Sequence, residues 1–117
     1  MEHVELRLLL PEELTQDLSK DPQIGPSSRV VEDANHAALR LGLQDTAAVF
    51  TIVVAAVQLA DYCIRLAQAI QEWMRRRRRS QLTVIVQAPH DDVVIRVDER
   101  EDPGALARHI ELILRRA

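Results

Sequence analysis

The stretch that decides the fold is residues 44–78, which read QDTAAVFTIVVAAVQLADYCIRLAQAIQEWMRRRR. It contains neither Pro nor Gly and is rich in Ala, Leu, Gln and Arg, which are good helix formers. We therefore predict one long helix over residues 45–78, with Asp45 or Thr46 as its N-cap.

One side of this predicted helix is polar and the rest of its circumference is apolar. At 100° per residue, the polar stripe contains Thr51, Gln58, Asp61, Arg65, Gln68, Glu72 and Arg75. Phe50, Val54 and Val57 lie on the same side as this stripe, in the first half of the helix, where almost every residue is apolar. Something must therefore cover these three residues, because an apolar surface this wide is unfavourable in water.

Three interpretations of the apolar half stay open. It is a core element covered by residues 34–43 and the last helix, or a surface for a partner or a second copy, or part of a membrane span. The apolar run covers only residues 47–57, whereas a span needs about 20 residues. We therefore expect no stable membrane insertion, although contact with a membrane surface stays open.

The flanking segments predict short strands and helices around the long helix. Apolar residues alternate from Val4 to Leu10, which is typical of a strand with one buried face. Asp102 and Pro103 suit the N-cap and first position of a final helix. Residues 34–43 are ambiguous. The predicted elements are strand 3–10, helix 11–20, strand 29–33, helix 45–78, hairpin 82–98 and helix 103–116.

This order, β-α-β-α-β-β-α, predicts an α/β (α+β) fold in one domain over residues 1–117, with a single mixed sheet of about four strands. The net charge of −3 argues against a general nucleic-acid binder. Cys63 is the one cysteine, so no internal disulfide forms, and a cytoplasmic location fits. The first residues lack the basic start and apolar run of a signal peptide.

The chain carries five consecutive arginines, Arg75, Arg76, Arg77, Arg78 and Arg79. One interpretation is a helix C-terminus whose cations complement the helix dipole. The other is a contact with an acidic protein surface, an acidic lipid or nucleic acid, because five cations exceed what a helix end requires. No aromatic residue is interleaved for base stacking, which disfavours nucleic acid.

The residues offer little support for catalysis or for metal binding. His3, His36, His90 and His109 are scattered, and none has a metal-ligating partner three or four residues away. Cys63 falls on the apolar arc of the predicted helix, where a small core residue is expected. We therefore expect no catalytic residues, no metal and no cofactor.

The C-terminal half carries a family resemblance. Its hairpin reads LTVIVQAPHDDVVIRVD over residues 82–98, and DPGAL follows at 102–106. An apolar helix ending in Trp73-Met74 and the arginine run precede it. This pattern, which extends over most of the chain, resembles the effector-associated constant component family of bacteria, small proteins encoded beside effectors of conflict systems.

The resemblance implies a non-enzymatic adaptor or regulatory subunit that binds a protein, with a caspase-like or trypsin-like protease effector as the expected partner. It transfers no catalytic residue. Our predicted contact residues are Phe50, Val54, Val57 and the five arginines 75–79. The alternative function is a structural subunit that self-assembles through the long helix, followed by a membrane-surface or nucleic-acid binder that uses the arginines.

Overall fold

A computed structural model describes residues 3–31, 47–87 and 92–116. The described elements are β1 (His3–Pro11), α1 (Glu12–Lys20), β2 (Ser28–Val31), β3 (Ala47–Ala55), α2 (Leu59–Arg76), β4 (Gln81–Gln87), β5 (Asp92–Asp98) and α3 (Pro103–Arg116). Short 3₁₀ turns at Gly25–Ser27 and Ala56–Gln58 lead into β2 and α2. The predicted α+β class is confirmed, with five strands where about four were expected.

The five strands form one antiparallel sheet in the order β2-β3-β1-β4-β5. β1 lies at its centre and pairs along its whole length with β3, from His3 opposite Ala55 to Pro11 opposite Ala47. On its other side, β1 pairs with β4 at Leu8 and Leu9. β4 and β5 pair over seven residues and lie at the far edge.

The single long helix predicted over 45–78 is wrong. Its first part is the strand β3, which lies between β1 and β2, and the helix begins only at Leu59. Five of the nine residues of β3 are β-branched, and such side chains fit a pleated sheet better than a helix. A continuous apolar run is compatible with a buried helix and with a buried strand, so periodicity does not separate them.

The core lies between one face of the sheet and the three helices of the described segments. Alternate residues of β1 and β3 are buried there, and the register sets Leu6 opposite Ile52 and Leu8 opposite Phe50. The same cluster includes Leu14 and Leu18 of α1, Leu59, Leu66 and Ile70 of α2, and Leu106, Ile110 and Leu114 of α3. The core is therefore mainly aliphatic, with Phe50 and Trp73 as its large aromatic side chains.

The opposite face of the sheet carries a separate apolar row. Val49 of β3 pairs with Leu9 of β1, Leu9 pairs with Ile85 of β4, and Ile85 pairs with Val94 of β5. The first three are buried, whereas Val94 is 47% exposed. The row thus ends in an exposed apolar side chain at the edge of the sheet.

The helix α2 keeps the polar stripe that its sequence predicts. Asp61, Arg65, Gln68, Glu72 and Arg75 are all exposed. The buried side of α2 packs against α3, where the side-chain amide of Gln71 donates a hydrogen bond to the backbone carbonyl of Glu101. In the described part of the chain, no helix combines the length and hydropathy needed to cross a bilayer.

Several predicted positions fall outside the described residues. These are the ambiguous segment 34–43, the N-cap candidates Asp45 and Thr46, the connection 88–91 of the hairpin, and the end of the predicted strand 29–33. The helix α3 spans the predicted range 103–116, and α1 begins one residue after the predicted start because Pro11 still pairs within β1.

Candidate protein-binding site at the end of the second helix

The arginine run begins in the last turn of α2 and continues through the turn that ends it. The backbone N–H of Arg78 donates to the carbonyl of Arg75 (3.2 Å), and the N–H of Arg79 donates to the carbonyl of Met74 (2.9 Å). This pair of bonds is a Schellman motif, in which the residue at the position of Arg78 adopts a left-handed conformation. Arg78 has φ 54°, although glycine is usual there.

Two arginines of the run form ion pairs with the first helix. Arg76 lies 3.9 Å from the carboxylate of Asp17, and Arg77 lies 3.2 Å from that of Glu13. The two acidic residues are one turn apart on α1 and therefore share a face. Both arginine side chains remain more than half exposed, so these pairs contribute little stability and leave the guanidiniums open to solvent.

A buried tryptophan lies beneath the arginines. The guanidinium carbons of Arg77 and Arg79 lie 6.0 and 5.2 Å from the centroid of the Trp73 ring, within the range of cation–π attraction. The indole is 1% exposed, and its Nε1 has no hydrogen-bond partner among the described residues. The Trp73 ring therefore provides an aromatic surface on which the guanidiniums of Arg77 and Arg79 pack.

Arg75 and Arg78 have a different environment from the other three arginines. Both are exposed, and neither forms an ion pair within the described segments. Arg76 and Arg77 face the carboxylates of Asp17 and Glu13, whereas the charges of Arg75 and Arg78 have no such partner among the described residues. Guanidiniums presented this way suit carboxylates, which they bind with two parallel hydrogen bonds.

The predicted contact residues do not form one surface. Phe50 and Val54 are buried in the domain's own core on β3, so the reason for placing them on a contact surface disappears with the long helix. Val57 is 88% exposed, but it precedes α2, whereas the arginines lie in the last turn of α2 and in the residues that follow it. Eighteen helical residues separate the two by about 27 Å.

Sequence reasoning missed the partners of the arginines. Glu13 and Asp17 carry a weak signal, since they are spaced i, i+4 on a predicted helix. Nothing in the sequence indicates that α1 lies beside the end of α2. Trp73 lies two residues before the run, and its i, i+4 spacing to Arg77 was the usable signal.

A family model, Effector Associated Constant Component 1, matches residues 10–114 of the chain. The chain belongs to this family. The match spans nearly all the elements just described, from the end of β1 to the last turn of α3. Comparison with curated proteins and with solved structures finds no match for this chain.

The cysteine of this family member is a core residue. Cys63 is fully buried, and burial, with a smaller contribution from the nearby charge of Glu111, raises the pKa of its thiol from 9.0 to about 12. The thiol is therefore protonated at neutral pH and is a poor nucleophile. The described part of the chain holds no group of three or more His, Cys, Asp or Glu side chains placed to bind a metal ion.

An open groove of about 480 Å³ lies elsewhere, on the face of the sheet away from the helices. Residues 26–29 form one wall, and Glu5, Thr51 and Val53 form the other. Glu5 lies 3.7 Å from Arg7, so its carboxylate already has a cationic neighbour. The groove combines one acidic and one basic side chain with hydroxyls, an arrangement suited to polar contacts rather than to a defined reaction.

Proposed function

We propose that this chain is a non-enzymatic adaptor of a bacterial conflict system, which binds an effector in the cytoplasm through the arginines 75–79. The family description associates the chain with effectors. A caspase-like or trypsin-like protease encoded beside this chain is the partner that we propose. An acidic segment of that effector is the chemistry that fits the arginines.

The observation that carries the proposal is that three of the five arginines make contacts within the chain, whereas the other two are exposed to solvent. Arg76, Arg77 and Arg79 contact α1 or Trp73, and these contacts restrict the freedom of their side chains. Arg75 and Arg78 extend into solvent at the same helix end. A partner carboxylate that pairs with Arg75 or Arg78 also meets the positive field of the other three arginines, whose side chains these contacts already hold in place.

An acidic protein segment fits this surface better than the alternative ligands. Single-stranded nucleic acid is bound largely by stacking on exposed aromatic rings, and the indole here is covered. Membrane surfaces are bound by cations next to exposed apolar side chains. The exposed Val57 lies at the other end of α2, about 27 Å from the arginines by helix length.

The test measures the affinity of the purified chain for the purified neighbouring effector by isothermal titration calorimetry. We expect the double variant Arg75→Gln, Arg78→Gln to weaken binding by about tenfold, because two exposed ion pairs are lost. Raising the salt concentration from about 50 to about 500 mM should weaken wild-type binding and should affect the variant less.

The matched control is Arg65→Gln, Arg108→Gln, which removes the same charge from exposed sites away from the arginine run. Its affinity should equal that of the wild type. Equal weakening by both double variants would show a general charge effect and refute the site. Tighter binding to DNA or to anionic vesicles than to the effector would refute the adaptor function.

A separate variant, Val57→Ser, tests the remaining predicted contact residue. If Val57 belongs to the same interface, the effector must cover the full length of α2, and the variant should weaken binding in the same calorimetric assay. Unchanged affinity would restrict the proposed interface to the arginine end of the helix.

A further inference from the structure

The strand β5 forms one edge of the sheet and has the features of a self-pairing strand. It is seven residues long, and all seven pair with β4, so it is fully extended. Asp92, Val94 and Arg96 alternate along its outer face, and all three are exposed. An edge strand of this length presents backbone N–H and C=O groups to any strand that arrives beside it.

A second copy of β5 can pair antiparallel with the first in only a few symmetric registers. Centred on Val94, the two-fold register pairs five residues on each strand. It places Val94 opposite the partner's Val94, and Asp92 opposite the partner's Arg96 on both sides of the centre. Each opposing pair then combines two apolar groups or two opposite charges, and directly opposite side chains interact most strongly in a sheet.

The neighbouring registers are electrostatically worse or shorter. Centred on Ile95, all seven residues pair, but Asp92 then lies opposite the partner's Asp98 on both sides. Like charges directly opposite each other destabilise a sheet. Centred on Val97, the charges of Arg96 and Asp98 match, but only three residues pair, because the strand ends at Asp98.

We propose that this chain forms a two-fold dimer in which β5 pairs with β5 of a second copy, centred on Val94, to give a continuous ten-stranded sheet. The contact is isologous, so it closes with two copies and does not propagate into a fibre.

The apolar row on the outer face of the sheet supports the same register. It runs from Val49 through Leu9 and Ile85 to Val94, where it ends exposed. In the dimer, the row continues through the partner's Val94, and the two valines cover each other. On the core side, the half-buried Val93 packs against the partner's Ile95 and extends the core across the junction.

The oligomeric state of the full chain tests the proposal by analytical ultracentrifugation at several concentrations. We expect a reversible dimer for the wild type. Val94→Lys should be a monomer, because it places two positive charges directly opposite each other at the centre of the interface. Circular dichroism melting verifies that the variant folds. A wild type that stays monomeric up to millimolar concentration, or a Val94→Lys variant that dimerises like the wild type, overturns the proposal.

A charge exchange identifies the register. Asp92→Arg and Arg96→Asp should each weaken the dimer by about tenfold, because each change replaces two attractive pairs with two repulsive ones. The double variant, with both changes, should restore wild-type affinity. Pairing centred on Ile95 predicts instead that Asp92→Arg strengthens the dimer, since the introduced guanidinium would face the partner's Asp98, and that result would refute the Val94 register.

Disulfide trapping gives an independent readout. In the proposed register, Val94→Cys places two thiols directly opposite each other, at a Cα separation of about 5 Å that a disulfide accepts. The variant should form a covalent dimer under mild oxidation. Val53→Cys, at a similarly exposed position on β3, is the control and should remain monomeric on a denaturing gel. Equal cross-linking of both variants would overturn the proposal.

Discussion

Two consecutive segments, Ala47–Ala55 and Leu59–Arg76, adopt opposite secondary structures although both are largely apolar and both lack Pro and Gly. The first is a strand at the interior of the sheet, and the second is the longest helix of the described residues. Five of nine residues are β-branched in the strand, against two of eighteen in the helix. In this chain, the frequency of β-branched residues therefore distinguishes strand from helix better than the absence of Pro and Gly does.

The two segments also bury their side chains differently. Alternate residues of β3 point to the helices and to the other face, so Val54 is buried while Val53 is half exposed. In α2, the buried residues recur at helical spacing and leave a polar stripe in solvent. Substitutions at matched positions therefore test each assignment separately.

The largest expected effect comes from adjacent positions of β3. Val54→Lys places an ammonium group in the core and should lower the free energy of unfolding by more than about 3 kcal/mol. Val53→Lys, on the opposite face and across from Glu5, should change it by less than about 0.5 kcal/mol. Urea denaturation measures both. Equal effects would contradict a strand with one face in the core.

The buried face of α2 predicts a loss of stability at alkaline pH. The pKa of Cys63 is raised to about 12 in the folded chain, so folding favours the protonated thiol. Its stabilising contribution is complete below pH 9 and is lost as the pH rises from 9 toward 12, at about 1.4 kcal/mol per pH unit.

Thermal melting between about pH 8 and about pH 10.5 measures this loss. Cys63→Ala lacks the titrating thiol and should show a smaller decrease in melting temperature over the same range, whatever its stability at the lower pH. Parallel curves for the two proteins would place the thiol in a more solvated environment than the structure gives it.

The end of α2 offers a stabilising substitution. Arg78 has a left-handed backbone conformation, which is unfavourable for a residue with a Cβ but not for glycine. Arg78→Gly should therefore raise the free energy of unfolding by about 1 kcal/mol. Arg78→Ala is the matched control, since it removes the same charge but keeps a Cβ at the left-handed position. The control should not stabilise the chain, and an equal stabilising effect in both variants would point to charge repulsion as the cause.

The smallest effect compares valine with alanine in the two segments. At position 53 in β3, valine should be more stable than Val53→Ala by about 0.5 kcal/mol. At position 68 in α2, Gln68→Ala should be more stable than Gln68→Val by about the same amount. A preference of the same sign at both exposed positions would show that local propensity does not distinguish the segments.

Much of the fold follows from short-range patterns in the sequence. The alternation from Val4 to Leu10 predicts β1, and Asp102-Pro103 predicts the start of α3. β3 was missed because its outer-face residues are apolar apart from Thr51, so no polar alternation marks it, and its run joins a true helix without a breaker. The strand order requires pairing over long sequence separations, which local patterns do not contain.

The arginine surface was predictable as a cluster of charge but not as a structure. Five consecutive cations are visible in the sequence, and the helix end was placed within two residues. The position of α1 decides which arginines form ion pairs. Their partners Glu13 and Asp17 are about sixty residues away along the chain, so the sequence does not show these pairs. The separation of Val57 from the arginines, in contrast, follows from the length of α2 alone, about 27 Å for its eighteen residues.

The position of Trp73 has a practical consequence for spectroscopy. It is the only tryptophan in the sequence, so the intrinsic emission of the protein comes largely from one buried indole. A positive charge near an indole shifts the energy of its excited state, and two guanidiniums lie within 6.0 Å of this ring. A carboxylate that draws either of them away should shift the emission maximum. Unlabelled protein therefore carries its own optical reporter directly beneath the proposed effector contact.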